Sequence, residues 1–209
     1  MVRRTLVLLA SLPVAIALSG CTKAAEPPAS APAAGETAST PAPLTGQAQI
    51  ERGRMLVIGG GCHDCHTPKK IGPNGPEANL DLALSGHPQD IKITAPLKND
   101  PKSPWQIHIN EHLTAWTGAW GVSFAANLTP DQNTGIGIWT EQMFLDALKK
   151  GKHMGTSRPI LPPMPWNWYG MLPDEDLKAI FAYLKSIKPI SNRVPVPIGP
   201  DGKPIEAPQ

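Results

Sequence analysis

The chain has 209 residues, 17% of them charged, with nineteen Lys and Arg against seventeen Asp and Glu for a formal net charge of +2. That near-balance excludes a nucleic-acid partner, because such binding needs Lys and Arg clustered in a basic footprint. Twenty-five prolines and nineteen glycines are too many for regular structure throughout, so the length accommodates one folded core with linker or long loop outside it.

In chain order, Arg3 and Arg4 precede an apolar run from Leu6 to Leu18 and then small residues, which is the order of an export signal over 1–20. The run is short of the roughly 20 residues of a spanning helix, and Pro13 interrupts it. Leu18, Ser19, Gly20 and Cys21 resemble the bacterial lipoprotein signal, which implies that Cys21 becomes the new N-terminus and carries acyl chains. Two or more chains anchor a protein stably, so the expectation is a lipid-anchored protein on the periplasmic side of a bacterial membrane. Thr22 in place of Asp favours the outer membrane, by analogy with enteric bacteria. Losing 1–20 removes two of the nineteen basic residues and none of the seventeen acidic ones, leaving a formal charge of 17 − 17 = 0.

Residues 21–46 are rich in Ala, Pro, Ser and Thr and carry few charges, so they read as a tether that cannot bury enough surface to order itself. Folding is expected over 47–190. Ile50, Gly53 and Val57 recur at helical spacing until Gly59, Gly60 and Gly61 stop the helix. Residues 72–126 read as a long covering loop insertion, with one helical stretch from Trp105 to Trp116. A further helix runs from the Thr140 cap through Phe144, Leu145 and Leu148 to Gly151. The last begins at Asp174, Glu175 and Asp176, carries Leu177, Ile180, Phe181, Leu184 and Ile187 on one stripe, and ends before Pro189. Residues 191–209 read as an extended tail.

Cys62-His63-Asp64-Cys65-His66 occurs once and has the spacing of a c-type haem attachment, with two thiols for the two vinyl groups and a histidine under the iron. With Cys21 taking lipid, all three cysteines are assigned. Zinc would need a second ligand pair, and a thioredoxin-like pair would need a strand ahead of the motif in a βαβ setting. His66 is therefore the expected proximal ligand. Met164, stiffened by Pro162, Pro163 and Pro165, is the first candidate for the sixth position, with Met154, Met171, His108 and His112 as alternatives. A thioether there raises the reduction potential.

Taken with Asn127 to Asp131, Thr134 to Gly137, Arg158-Pro159 ahead of Pro163-Met164-Pro165, and Asp174 to Leu177 entering Ala182 to Lys185, the motif resembles the single-haem bacterial c-type cytochromes of the class I fold, often found with periplasmic dehydrogenase and oxidase chains. The likeness runs from about Glu51 to Pro195. It implies an all-α fold around one covalent haem, with the first and last helices crossing at Gly53 and Tyr183 and with Met164 as distal ligand. It also implies a proline carbonyl, from Pro73 or Pro68, accepting from the proximal imidazole, while Arg158 and Trp139 are placed to donate to the haem propionates. The chain departs from compact members in the length between His66 and Met164 and in Pro173 where Ser or Thr usually caps the last helix.

The expected role is electron transfer with redox-protein partners, not catalysis, which would need an open iron position and distal acid-base groups. Alternatives are an electron-transfer subunit of a larger membrane dehydrogenase or oxidase complex, and a haem-based ligand sensor.

Overall fold

The computed structural model describes residues 44–98 and 100–206. The expected export signal, Cys21 and nearly all of the expected tether lie outside the described residues. Among the described residues there are five α-helices and two small antiparallel sheets, so the all-α expectation is corrected to a mixed fold with a helical core. No described helix is long and apolar enough to cross a membrane.

Helix α1 (Gly46–Gly59) begins where the apolar spacing starts and leads directly into α2 (Cys62–His66), a single short turn that carries the whole cysteine motif. Gly61 joins them at φ 68°, a left-handed conformation that glycine adopts without penalty. Helix α3 (Glu141–Lys150) opens on Thr140, whose Oγ1 accepts from Met143 N at 3.2 Å, and closes on Gly151 at φ 65°. Helix α4 (Trp166–Tyr169) is brief, and α5 (Asp174–Ser186) has three carboxylates in its first turn, where they complement the helix dipole.

The apolar stripes of these helices meet in one core. Val57 comes from α1, Phe144, Leu145 and Leu148 from α3, and Leu177, Ile180, Phe181 and Leu184 from α5, with Leu84 and Ile136 added from loops. Each such side chain stabilises the fold by roughly 1.5–3 kcal/mol. Helices α1 and α5 cross at Gly53, where a Cβ would lie 1.8 Å from the Ala179 carbonyl oxygen and 2.9 Å from Tyr183 Cβ. The crossing expected between Gly53 and Tyr183 is thus present, and only a glycine permits it.

The segment read as a covering loop contains both sheets. Strands β1 (Lys69–Gly72) and β2 (Gly75–Ala78) form a hairpin, and β3 (His108–Ile109), β4 (Ala115–Gly118) and β5 (Gly121–Phe124) form a three-stranded meander in the order β3-β4-β5. The helix expected from Trp105 to Trp116 is absent. Asn110 Oδ1 accepts from the backbone N–H groups of Thr114 and Ala115, both at 2.9 Å, and Leu113 takes φ 54°. Those donors are diverted from any helical ladder, and the chain reverses into β4.

Residues 191–206 are extended but packed on the domain. Ile198 pairs antiparallel with Val122 beside β5, with Val122 N donating to Ile198 O at 2.7 Å and Ile198 N to Val122 O at 2.9 Å. Asn192, 7% exposed, donates to the carbonyls of Ser85 (2.7 Å) and His87 (2.9 Å) and accepts from Gln89 N at 2.9 Å. Asn127 and Thr129 engage the Ile190 carbonyl on the same run. The loop 127–137, noticed in the sequence for its Asn, Thr and Gly spacing, is the seat of this clasp.

Candidate functional site

The site is organised by α2. Three glycines ahead of it let the chain turn from α1, and Tyr169 of α4 donates its hydroxyl to the Gly60 carbonyl, bracing the entry. Cys62 and Cys65 are of intermediate exposure and are not joined in a disulfide. Burial pushes Cys62 up to about 11, and Cys65 is raised for the same reason. Catalytic dithiols of the thioredoxin type have lowered values, so this environment opposes that alternative.

His66 ends α2 and is 8% exposed. Its Nδ1 lies 2.8 Å from the Ala126 carbonyl oxygen. A carbonyl only accepts, so Nδ1 carries the proton and Nε2 is the basic nitrogen. Burial also lowers the His66 pKa, with the Ala126 bond opposing and nearby His63 assisting. A neutral imidazole with its second nitrogen held by a backbone acceptor is the arrangement by which proteins orient a metal-ligating histidine. The acceptor differs from the expectation. Pro73 sits in the β1–β2 turn and the Pro68 carbonyl takes Asn79 N at 2.9 Å, while the chain leaving β5 brings Ala126 to His66.

The other histidines divide by their partners. His87 is fully buried with Nδ1 3.0 Å from Thr114 Oγ1 and Nε2 3.0 Å from the Ile91 carbonyl, so both nitrogens serve structure. His63 Nδ1 is 2.9 Å from Thr67 Oγ1, and His112 Nδ1 is 2.8 Å from the Lys69 carbonyl. His108 belongs to β3. Among the described residues no three His, Cys, Asp or Glu side chains gather as a bare metal-ion site would require.

Of the methionines, Met164 is half-buried against the core between α4 and the proline-rich run, with its N–H donating to Leu161 O at 3.3 Å. Met154 lies in a 3-10 turn at φ 56°. Met171 is 74% exposed.

Ala126, the residue that holds His66, also lines a cleft of ≈ 150 Å³ together with Asn127, Trp139, His153, Arg158 and Arg193. The expected Arg158 and Trp139 are therefore brought together beside the histidine. His153 stands edge-on to Trp139, with ring centroids 5.1 Å apart. Burial, with the charge of Arg158 adding, pushes its pKa down to about 4. Burial also lowers Arg158, although a guanidinium stays charged in any ordinary solvent.

The donor set fits a covalently held haem. It comprises a thiol one turn ahead of an oriented neutral imidazole and a second directly before it, a half-buried thioether, and cations on the cleft beside the histidine, where the group's carboxylates need charge or hydrogen bonds. Sequence reasoning missed the Ala126 carbonyl, the Tyr169 brace and Arg193. Only the aromatic content around Tyr169 gave any local signal for them.

Comparison with known proteins agrees with this class of site. No family model matches the chain. It is 32% identical over 154 residues to the cytochrome c subunit of an alcohol dehydrogenase (quinone) from Gluconacetobacter polyoxogenes, covering 72% of this chain and 27% of the relative. It is 28% identical over 142 residues to the fructose dehydrogenase cytochrome subunit of Gluconobacter japonicus, covering 68% and 22%. With a nicotinate dehydrogenase subunit of Pseudomonas putida the identity is 26% over 148 residues, covering 71% and 9%. The aligned stretch thus spans about a quarter or less of each relative's length. These likenesses support a c-type cytochrome.

Proposed function

We propose that this chain is an electron-transfer cytochrome c that works as a subunit of, or docks with, a membrane-associated dehydrogenase and performs no substrate chemistry itself. A single haem c would be held through Cys62 and Cys65, with His66 Nε2 and Met164 Sδ as the residues that would ligate it, in a class I cytochrome core. The observation that carries this reading is the buried His66, fixed by the Ala126 carbonyl at the end of a helix that presents both thiols. The cytochrome subunits of dehydrogenases among its relatives favour the subunit form over a sensor.

Bound haem supplies reversible one-electron storage. The residues of the chain supply the rest. His66 is held neutral and in one tautomer, so the ligating nitrogen needs no proton movement. Met164 brings a soft donor that favours the reduced state. Val57, Leu177 and Ile180 keep the interior dry, which favours the less charged form. Lipid on Cys21, after removal of 1–20, would hold the domain on the periplasmic side of a membrane, with 22–46 as tether.

The test is the ferric optical spectrum of the exported protein beside its Met164→Ala variant. The expected result is a weak far-red band, diagnostic of sulfur on ferric iron, that the variant loses. A parent spectrum with haem bands but no far-red band refutes Met164 ligation, and the absence of haem bands refutes the cytochrome reading. A band that survives in the variant points to Met154.

A further inference from the structure

The cleft beside Ala126 carries more positive charge than the fold itself uses. Arg158 and Arg193 line it, and among the described residues neither guanidinium makes a hydrogen bond or ion pair. The Asp131 pKa is lowered first by the hydrogen bond from Thr134 and least by Arg193, and its Oδ1 accepts from Asn133 N (3.1 Å), Thr134 N (2.8 Å) and Thr134 Oγ1 (2.6 Å), within its own loop. Lys185 adds a third cation near Ile136 of the cleft wall, donating to the carbonyls of Ile136 and Gly137. His153 is neutral at ordinary pH, with its pKa pushed down to about 4.

Arg193 is placed there by the tail. The side chain of Asn192 is tied to Ser85, His87 and Gln89, the backbone N of Asn192 donates to Thr134 Oγ1 at 3.0 Å, and the backbone N of Arg193 donates to Gln89 Oε1 at 3.0 Å. A flexible surface arginine would not need its attachment point clamped by a buried asparagine. Arg158, half-buried, approaches the same cleft from the segment before the proline run. Two guanidiniums brought from separate segments to a cleft that begins at the His66 acceptor suit a ligand edge bearing two carboxylates.

We infer that the C-terminal tail is part of the cofactor site, delivering Arg193 as a second cation, with Arg158, to the two carboxylates of the bound haem. The inference rests on the haem reading above. A cation beside the haem carboxylates favours the form with one more electron, so Arg193 is a positioning and potential-setting residue. Removing one partly screened charge is expected to change the ferrous-to-ferric ratio at a fixed potential on the order of three- to tenfold.

The experiment is a redox titration of the full-length holoprotein, followed by its optical bands, for the parent, Arg193→Gln, Arg193→Lys and Lys178→Gln. Lys178 is a cation of α5 paired with Glu175 and not part of the cleft. At the parent midpoint, Arg193→Gln is expected to lower the ferrous-to-ferric ratio three- to tenfold with its haem bands unchanged, Arg193→Lys to restore most of it, and Lys178→Gln to move it less than twofold. A ratio for Arg193→Gln no different from that of Lys178→Gln overturns the inference while leaving the haem reading intact. A parent without haem bands overturns both.

Discussion

The crossing of α1 and α5 offers a sharp test, because a single methyl group should break it. In Gly53→Ala the new Cβ would stand 1.8 Å from the Ala179 carbonyl oxygen, 2.5 Å from its carbon and 2.9 Å from Tyr183 Cβ. Two of these atoms are helical backbone and cannot rotate away, so the helices must part by more than an ångström before contact becomes ordinary. That separation loosens Val57 from Leu177 and Ile180 in the core. Overpacking of this kind costs about 1–3 kcal/mol, with a clash against backbone at the upper end, while replacing glycine inside a helix returns about 0.8–1 kcal/mol. The net expectation is a loss of about 2 kcal/mol, which for a domain of this size lowers the melting temperature by about 4–8 °C. Far-UV circular dichroism on heating and in urea measures it. Gly59→Ala on the same helix is the control, since nothing lies within 4 Å of its Cβ, and it should be neutral or stabilising by up to about 1 kcal/mol. If Gly53→Ala matches the parent, the close crossing is not what holds the helices.

Other perturbations separate the buried contacts from the exposed ones. Asn192→Ala strands the Ser85 and His87 carbonyls and Gln89 N and should cost about 2–4 kcal/mol in urea unfolding; a loss under 1 kcal/mol would show that the clasp contributes little. His87 is buried and its pKa is lowered, chiefly by burial. The unfolded chain therefore takes up the proton first, so this group's share of stability is complete above about pH 6.5 and is lost as pH falls towards its folded value. His87→Gln should accordingly flatten the decline of unfolding free energy between pH 7 and pH 5, and an unchanged slope would remove His87 as its source. Arg52 and Asp176 form a bidentate pair at 2.9 and 3.0 Å, but the arginine side chain is 48% exposed. Arg52→Ala should cost less than about 1 kcal/mol, and less still in high salt, by the same assay.

Much of this protein was legible in local pattern. The motif from Cys62 to His66 was legible as a unit, because two thiols and an imidazole at that spacing share one short turn. The first helix, expected from near Gln47, declared itself by apolar period and a glycine stop, the second by period, the Thr140 cap and Gly151, and the last by period, an acidic first turn and Pro189, signals carried by near neighbours in the chain. Gly53 lay at helical spacing with Ile50 and Val57, but its role at the crossing came from the likeness to class I cytochromes and not from the pattern. What lay beyond sequence reasoning was every feature made by long-range backbone contact. The strands from His108 to Phe124 were hidden because Asn110 and Leu113 reverse the chain through a side-chain bond and a left-handed residue, which leave no periodic trace. Ala126 accepts from His66 through a carbonyl that any residue type possesses, so no letter of the sequence could announce it. Arg193 sits in a stretch without periodicity, and only the Asn192 clasp brings it to the cleft. Side-chain chemistry is written locally, whereas the acceptor and the cation that orient it are chosen by where a distant backbone comes to rest.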